Sequence, residues 1–223
     1  MLDIHHLIER SDKPILISFP ICPFVQRSAI LLNVKKQPYE RLDIDLQDKP
    51  QWYLDLVPTG KVPALLVKDP EQELIFESSI INEYLDEKFG ESLLAGRALQ
   101  KAKQRAWISF SEQLIFLQYK AMSATTESEF NQLRDELIED LKRIPVSPGN
   151  LAVFNGQSLS LMDVAIAPLF IRLKWMPSVL KLLEAEDIER SDTLIQWINH
   201  ITNLEAVRNS VALDFEKLFE GYF

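Results

Sequence analysis

The sequence predicts an α/β domain with the element order βαβαββα, followed by an all-α domain. Three observations carry this expectation. Up to about residue 85, stretches with strand-like and helix-like apolar patterns alternate, whereas beyond residue 97 every patterned stretch has helical periodicity. Between them, Gly90-Glu91-Ser92 to Gly96 has the composition of a linker. The division falls at residues 1–88 for the first domain, 89–97 for the linker and 98–223 for the helical domain.

Taken in order, Pro14 to Phe19 is a buried-strand run. Phe24 to Val34 then places Val25, Ala29 and Leu32 on one helical face. Tyr39 to Asp45 alternates, with Leu42 and Ile44 on one side, and Pro50 to Leu56 is a short helix candidate. Strands are expected at Val62 to Val67 and Glu73 to Phe76, separated by the Asp69-Pro70 turn, and a helix at Ser79 to Phe89 carries Ile80, Ile81, Tyr84 and Leu85. In the second domain, Ala98 to Met122 and Glu127 to Ile144 are amphipathic, the latter closed by Pro145 and Pro148-Gly149. Ser160-Leu161-Met162-Asp163 is a capping box that opens a helix running through Trp175. Helices at Thr193 to Asn203 and Val211 to Phe219 complete the chain.

With 223 residues, 47% of them hydrophobic and 26% charged, the composition suits a globular protein with real cores. A net charge of −9 provides no basic footprint for nucleic acid or an anionic membrane. No apolar run approaches a bilayer span, and Met1-Leu2-Asp3-Ile4-His5-His6 lacks both the basic and the apolar region of a secretory signal. With a single cysteine, these features predict a cytoplasmic protein with neither nucleic-acid nor membrane partners. His5, His6 and His200 have no partner at ligand or triad spacing, and no metal is expected.

Cys22 lies between the first strand and the first helix, followed by Pro23, a residue suited to a first helical turn. A thiol at a helix N-terminus meets backbone N–H groups and the positive end of the helix dipole, which favour the thiolate and make it a candidate nucleophile. A free cysteine is otherwise most often a small buried hydrophobe. The absence of a second cysteine excludes an intramolecular disulfide and a dithiol redox cycle, so redox chemistry here needs an outside thiol, glutathione being the obvious donor.

Two further phrases have a physical reading. Val62-Pro63 stands at a strand start, where proline costs least and where an X-Pro bond offers the cheap route to a cis peptide that would turn the Val62 backbone outward. Glu77-Ser78 precedes a helix, so backbone N–H groups and the Ser78 hydroxyl suit an α-carboxylate while Glu77 can pair with an ammonium. Such a pair is ordinarily only a helix start.

The succession Cys22-Pro23-Phe24, Asp48-Lys49-Pro50, Gly60-Lys61-Val62-Pro63 and Phe76-Glu77-Ser78 resembles the glutathione-binding domain of the omega class of glutathione transferases. The likeness extends in weaker form over nearly the whole chain. It implies a thioredoxin-like first domain and the glutathione-transferase architecture. It also implies that Cys22 is catalytic and that Phe24, Lys49, Val62, Pro63, Glu77 and Ser78 bind glutathione as co-substrate. On this resemblance the Val62 backbone pairs with the cysteinyl unit, Lys49 meets the glycyl carboxylate, and Glu77 and Ser78 hold the γ-glutamyl end. Arg172, Phe215 and Tyr222 fall where the family lines a second-substrate pocket, with Phe215 in place of the usual tryptophan. Ser18 and Tyr39, the hydroxyls that other transferase classes would suggest, lie in a strand and beyond the first helix and read as structural.

The implied activity is glutathione-dependent thiol transfer or reduction, including deglutathionylation and dehydroascorbate reduction, on a small-molecule or protein disulfide substrate. The implied assembly is a homodimer. Over Leu133 to Trp175 the chain also looks similar to bacterial stringent-starvation proteins, which share the fold, bind RNA polymerase and lack the catalytic cysteine. A non-enzymatic binder of that type is the rival expectation.

Overall fold

A computed structural model describes residues 11–68, 71–150, 152–185 and 189–223. The Asp69-Pro70 turn and the His5-His6 pair lie outside the described residues. The chain divides into two compact units: the described residues up to Glu91 together with Asn209–Glu220, and Ser92–Arg208 together with Gly221–Phe223. The sequence places everything from 98 to 223 in one helical domain, whereas segment 209–220 groups with the first unit.

The first unit contains β1 (Ile15–Ser18), α1 (Pro23–Val34), β2 (Glu40–Asp43), α2 (Gln51–Leu56), β3 (Ala64–Lys68), β4 (Gln72–Phe76) and α3 (Ser78–Lys88). This is the expected βαβαββα order. The sheet order is β2-β1-β3-β4, with β1 parallel to β2 and antiparallel to β3, and β3 antiparallel to β4. Every residue of β1 is buried, which is why apolar residues follow one another from Ile15 to Ile17 instead of alternating with polar ones. Ile15 and Ile17 pack with Ala64 and Leu66 of β3 against Ile44, Tyr53 and Val57. Strand alternation directs Leu16 and Ser18 to the opposite face.

Helix α1 packs on α3. Polar groups fix this contact: the Ser28 hydroxyl donates to Asn82 Oδ1 at 2.8 Å. Lys35 Nζ meets Asp86 Oδ1 at 2.7 Å, with the two side chains only 4% and 2% exposed. An ion pair so deprived of water is costly to break from one side, by about 3–5 kcal/mol. Near the start of α1, Gln26 Nε2 donates to the Ser210 hydroxyl at 3.0 Å, tying the returning segment 209–220 to this helix.

The second unit contains α4 (Ala98–Met122), α5 (Glu127–Leu141), α6 (Leu161–Arg172) continued by a 3₁₀ turn (Leu173–Trp175), α7 (Pro177–Glu184), α8 (Glu189–Asn203) and α9 (Glu205–Arg208). The last helix of the chain, α10 (Phe215–Glu220), belongs to the first unit. Helix α6 is buried around nearly its whole circumference, as its apolar sequence requires. Asp163 closes its N-terminus: one carboxylate oxygen accepts from the Ser160 N–H at 2.7 Å and from the Ser160 hydroxyl at 2.5 Å. The other accepts from Trp197 Nε1 at 2.8 Å and the Val153 N–H at 3.2 Å. Burial pushes the Asp163 carboxyl up, against these donors, which pull it down. Among the described residues, no helix is long and apolar enough to cross a membrane.

Candidate active site

The strand register brings the sequence-predicted residues that flank β1, β3 and β4 to one end of the sheet. Ile17 faces Ala64 in the antiparallel β1–β3 pair, and Ala64 faces Phe76 in β3–β4. The end of β1, the start of β3 and the end of β4 therefore lie side by side. Ser18 also faces Asp43 at the end of parallel β2. Cys22 follows β1, Lys49 follows β2, Val62-Pro63 immediately precedes β3, and Glu77-Ser78 immediately follows β4. One sheet end thus carries four separate pieces of sequence.

Cys22 is the N-cap of α1, half-buried, with Pro23 in the first helical turn and no hydrogen bond from its side chain to the helix. Its N–H donates to the Phe19 carbonyl at 3.0 Å, and its carbonyl accepts the first helical bond from Gln26 at 3.1 Å. The backbone therefore fixes the residue in place and keeps the thiol at the positive helix end. Phe24 is half-buried and its ring receives the guanidinium of fully buried Arg27, 5.1 Å from the centroid.

The Val62–Pro63 peptide is cis, with Pro63 buried and Val62 half-buried. Before it, Gly60 adopts φ +58°, in the left-handed region that glycine enters without strain. A side chain at Gly60 would meet Leu54 Cδ2 at 3.4 Å and Lys49 Nζ at 3.9 Å, so the Lys49 ammonium stands beside this turn.

Helix α3 begins at Ser78, one residue earlier than its sequence suggests, with Glu77 as N-cap. Glu77 has φ +70°, ψ 118° and is exposed, a conformation that costs a non-glycine residue on the order of 1–3 kcal/mol. The first helical bond runs from the Ile81 N–H to the Glu77 carbonyl, so the N–H groups of Ser78, Ser79 and Ile80 have no acceptor within the helix. No side chain caps them. The arrangement suits an anion at the helix start and an ammonium at the Glu77 carboxylate.

Sequence reasoning missed Tyr53. It is fully buried in α2, its hydroxyl donates to the Lys61 carbonyl at 2.5 Å, and burial, then the negative charge of Cys22, push its pKa up to about 12. The available signal was an aromatic residue on a short helix just ahead of a Val-Pro phrase. Burial is the main cause that raises the Tyr39 pKa, and the buried Oγ of Ser18 has no hydrogen-bond partner among the described residues.

The residues expected to line a second-substrate pocket are divided between the units. Arg172 is buried in the second, where its Nη1 donates to the Pro168 carbonyl one turn earlier at 2.7 Å. Phe215 is buried in the first and stacks on Phe219, with centroids 5.5 Å apart. Tyr222 is exposed in the second, edge-on to Phe223 at 5.2 Å. Among the described residues, no group of three or more histidine, cysteine or acidic side chains could hold a metal ion.

Residues 16–93 match the family model for the glutathione S-transferase N-terminal domain. Glutathione S-transferase omega-1 of Sus scrofa is 32% identical over 160 residues, covering 70% of this chain and 66% of that protein. The chain thus spans about two thirds of the length of that relative. Pyrimidodiazepine synthase of Drosophila melanogaster is 32% identical over 198 residues, 86% of this chain and 78% of that protein. In fold, the chain is similar to glutathione transferase Omega 2C of Trametes versicolor, with a TM-score of 0.76 at 24% identity, over 95% of this chain and 99% of that one.

Proposed function

This chain belongs to the glutathione transferase superfamily and is omega-like within it, and from that premise we propose that it is a glutathione-dependent thiol transferase working through a Cys22 mixed disulfide. The observation that carries the reading is the meeting, at one sheet end, of a helix start bearing Cys22 at its N-cap, the cis Val62–Pro63 peptide that leads into β3 and a helix start at Glu77-Ser78 with no side-chain cap. A thiolate, a strand-like peptide edge and a site for a carboxylate beside an ammonium are the three things glutathione requires. Lys49, beside the Gly60 turn, supplies a cation for the glycyl carboxylate, and Phe24 stands two residues after Cys22 in the first turn of α1.

In the cycle, the Cys22 thiolate attacks the glutathionyl sulfur of a mixed disulfide between substrate and glutathione. The S–S bond of the mixed disulfide breaks, the substrate thiolate leaves and takes a proton from solvent, and Cys22 is left joined to glutathione by a new disulfide bond. The thiolate of a second glutathione then attacks the glutathionyl sulfur, releasing glutathione disulfide and restoring the Cys22 thiolate. Net, one glutathione thiol is oxidised per cycle, and the mixed disulfide is converted to the substrate thiol and glutathione disulfide. Arg172, Phe215 and Tyr222 remain candidates for second-substrate recognition, suited to bulky acidic or aromatic thiol adducts.

The test measures two activities on one preparation: reduction of a glutathionylated substrate and conjugation of 1-chloro-2,4-dinitrobenzene. Strong reduction with poor conjugation, together with retention on glutathione-agarose, supports the reading. Strong conjugation without reduction overturns it, as does co-purification of RNA polymerase with neither retention nor turnover. A homodimer is part of the proposal, and light scattering that returned a mass near the 25.7 kDa of one chain would contradict it.

A further inference from the structure

The loop that delivers Val62 to the site is held by backbone bonds and by the side chain of one buried residue, Tyr53. Tyr53 accepts the Val57 N–H on its backbone carbonyl at 2.8 Å, the Val57 carbonyl accepts the Gly60 N–H at 2.9 Å, and the Tyr53 hydroxyl donates to the Lys61 carbonyl at 2.5 Å. Two of these three bonds belong to Tyr53. The Lys61 carbonyl and the Val62 N–H are opposite ends of one planar peptide unit and point in opposite directions. Holding the first therefore sets the direction of the second.

We infer that Tyr53 is a positioning residue for glutathione: its hydroxyl, through the Lys61 carbonyl, orients the Val62 N–H that pairs with the cysteinyl unit of the tripeptide. This rests on the reading of Val62 as the glutathione-pairing edge. The hydroxyl is not what fills the core, because a phenyl ring occupies the same space among Ile15, Ile17 and Val57. What the hydroxyl adds is direction. With its pKa pushed up to about 12 by burial and by the charge of Cys22, it stays a protonated donor while the thiol is ionised and does not compete as a base.

The test is Tyr53→Phe in the full chain, which keeps the ring and removes only the donor. Amide exchange of segment 57–63 without glutathione should quicken by about fivefold, the loss of one ordinary hydrogen bond. The KM for glutathione should rise by a similar factor, with kcat at saturating glutathione within about twofold. Unchanged exchange and unchanged KM in a variant of a wild-type chain that binds glutathione would overturn the inference alone. A fall in kcat with KM unchanged would also overturn it, placing the hydroxyl's action on the thiol instead of the loop. A wild-type chain that does not bind glutathione would overturn the functional reading and this inference with it.

Discussion

Two kinds of helix start in this molecule obey the same electrostatics and are put to opposite uses. At α6, in the second unit, the Ser160 hydroxyl accepts the Asp163 N–H and the Asp163 carboxylate accepts the Ser160 N–H, and Trp197 and Val153 donate to the remaining carboxylate oxygen. At α1 and α3, in the first unit, Cys22 and Glu77 occupy the N-cap position and neither side chain caps the helix. The protein supplies its own anion where the helix is needed for the fold. Where the helix start is left open, the positive end is available to a thiolate or to a carboxylate from outside.

The largest expected effect is at the open end of α1. Cys22→Ser should reduce thiol-transfer turnover on the order of a thousandfold or more, because a hydroxyl cannot form the mixed disulfide, while retention on glutathione-agarose persists. Retained turnover in this variant would remove the proposed mechanism.

At the closed end, the effect should fall on stability. Asp163→Ala leaves the Ser160, Val153 and Trp197 N–H donors buried without their acceptor and should cost about 3 kcal/mol or more by urea denaturation. A loss below about 1 kcal/mol would mean that the capping cluster is dispensable and the contrast with α1 is overdrawn.

Glu77 offers a sharper test, because there stability and binding should move apart. Glu77→Gly relieves a backbone strain of about 1–3 kcal/mol. It adds the unfolded-state entropy of glycine, about 0.5–1 kcal/mol. The variant should be at least as stable as the wild type, yet bind glutathione about tenfold more weakly for want of a charge-assisted bond to the ammonium. Isothermal titration beside urea denaturation reads both, and a variant that is less stable with undiminished affinity would make Glu77 a structural residue.

The smallest effect is expected at Ser18, whose buried Oγ has no hydrogen-bond partner among the described residues. Ser18→Ala should leave the urea midpoint unchanged or raise stability by about 1 kcal/mol at most. A clear loss would show that the hydroxyl is engaged.

The same contrast explains what could be read in the sequence. Sequence signals are strong where local chemistry decides the structure: the buried run of β1, the capping box of α6 and the amphipathic α4, whose bounds Ala98–Met122 are those expected. They weaken where a tertiary partner decides. Helix α7 has a legible start in Pro177 but only eight residues to show a period, and α9 has four. Helical periodicity in residues 211–219 does not say which unit the segment packs on, and the Gln26–Ser210 bond that ties it to α1 spans most of the chain. Nothing in the type of Glu77 announces a positive φ, since glutamate rarely adopts one. Tyr53 escaped notice because its partner is a backbone carbonyl, which looks the same in every sequence.

The contrast between open and closed helix starts is tested most directly by the rate of Cys22 alkylation with iodoacetamide as a function of pH. A thiol held at a helix N-terminus predicts an inflection clearly below that of a free thiol, about 8.5, since the thiolate is stabilised there. An inflection at about 8.5 or above would mean that the start of α1 does not hold a thiolate, and would contradict the assignment of Cys22 as the nucleophile.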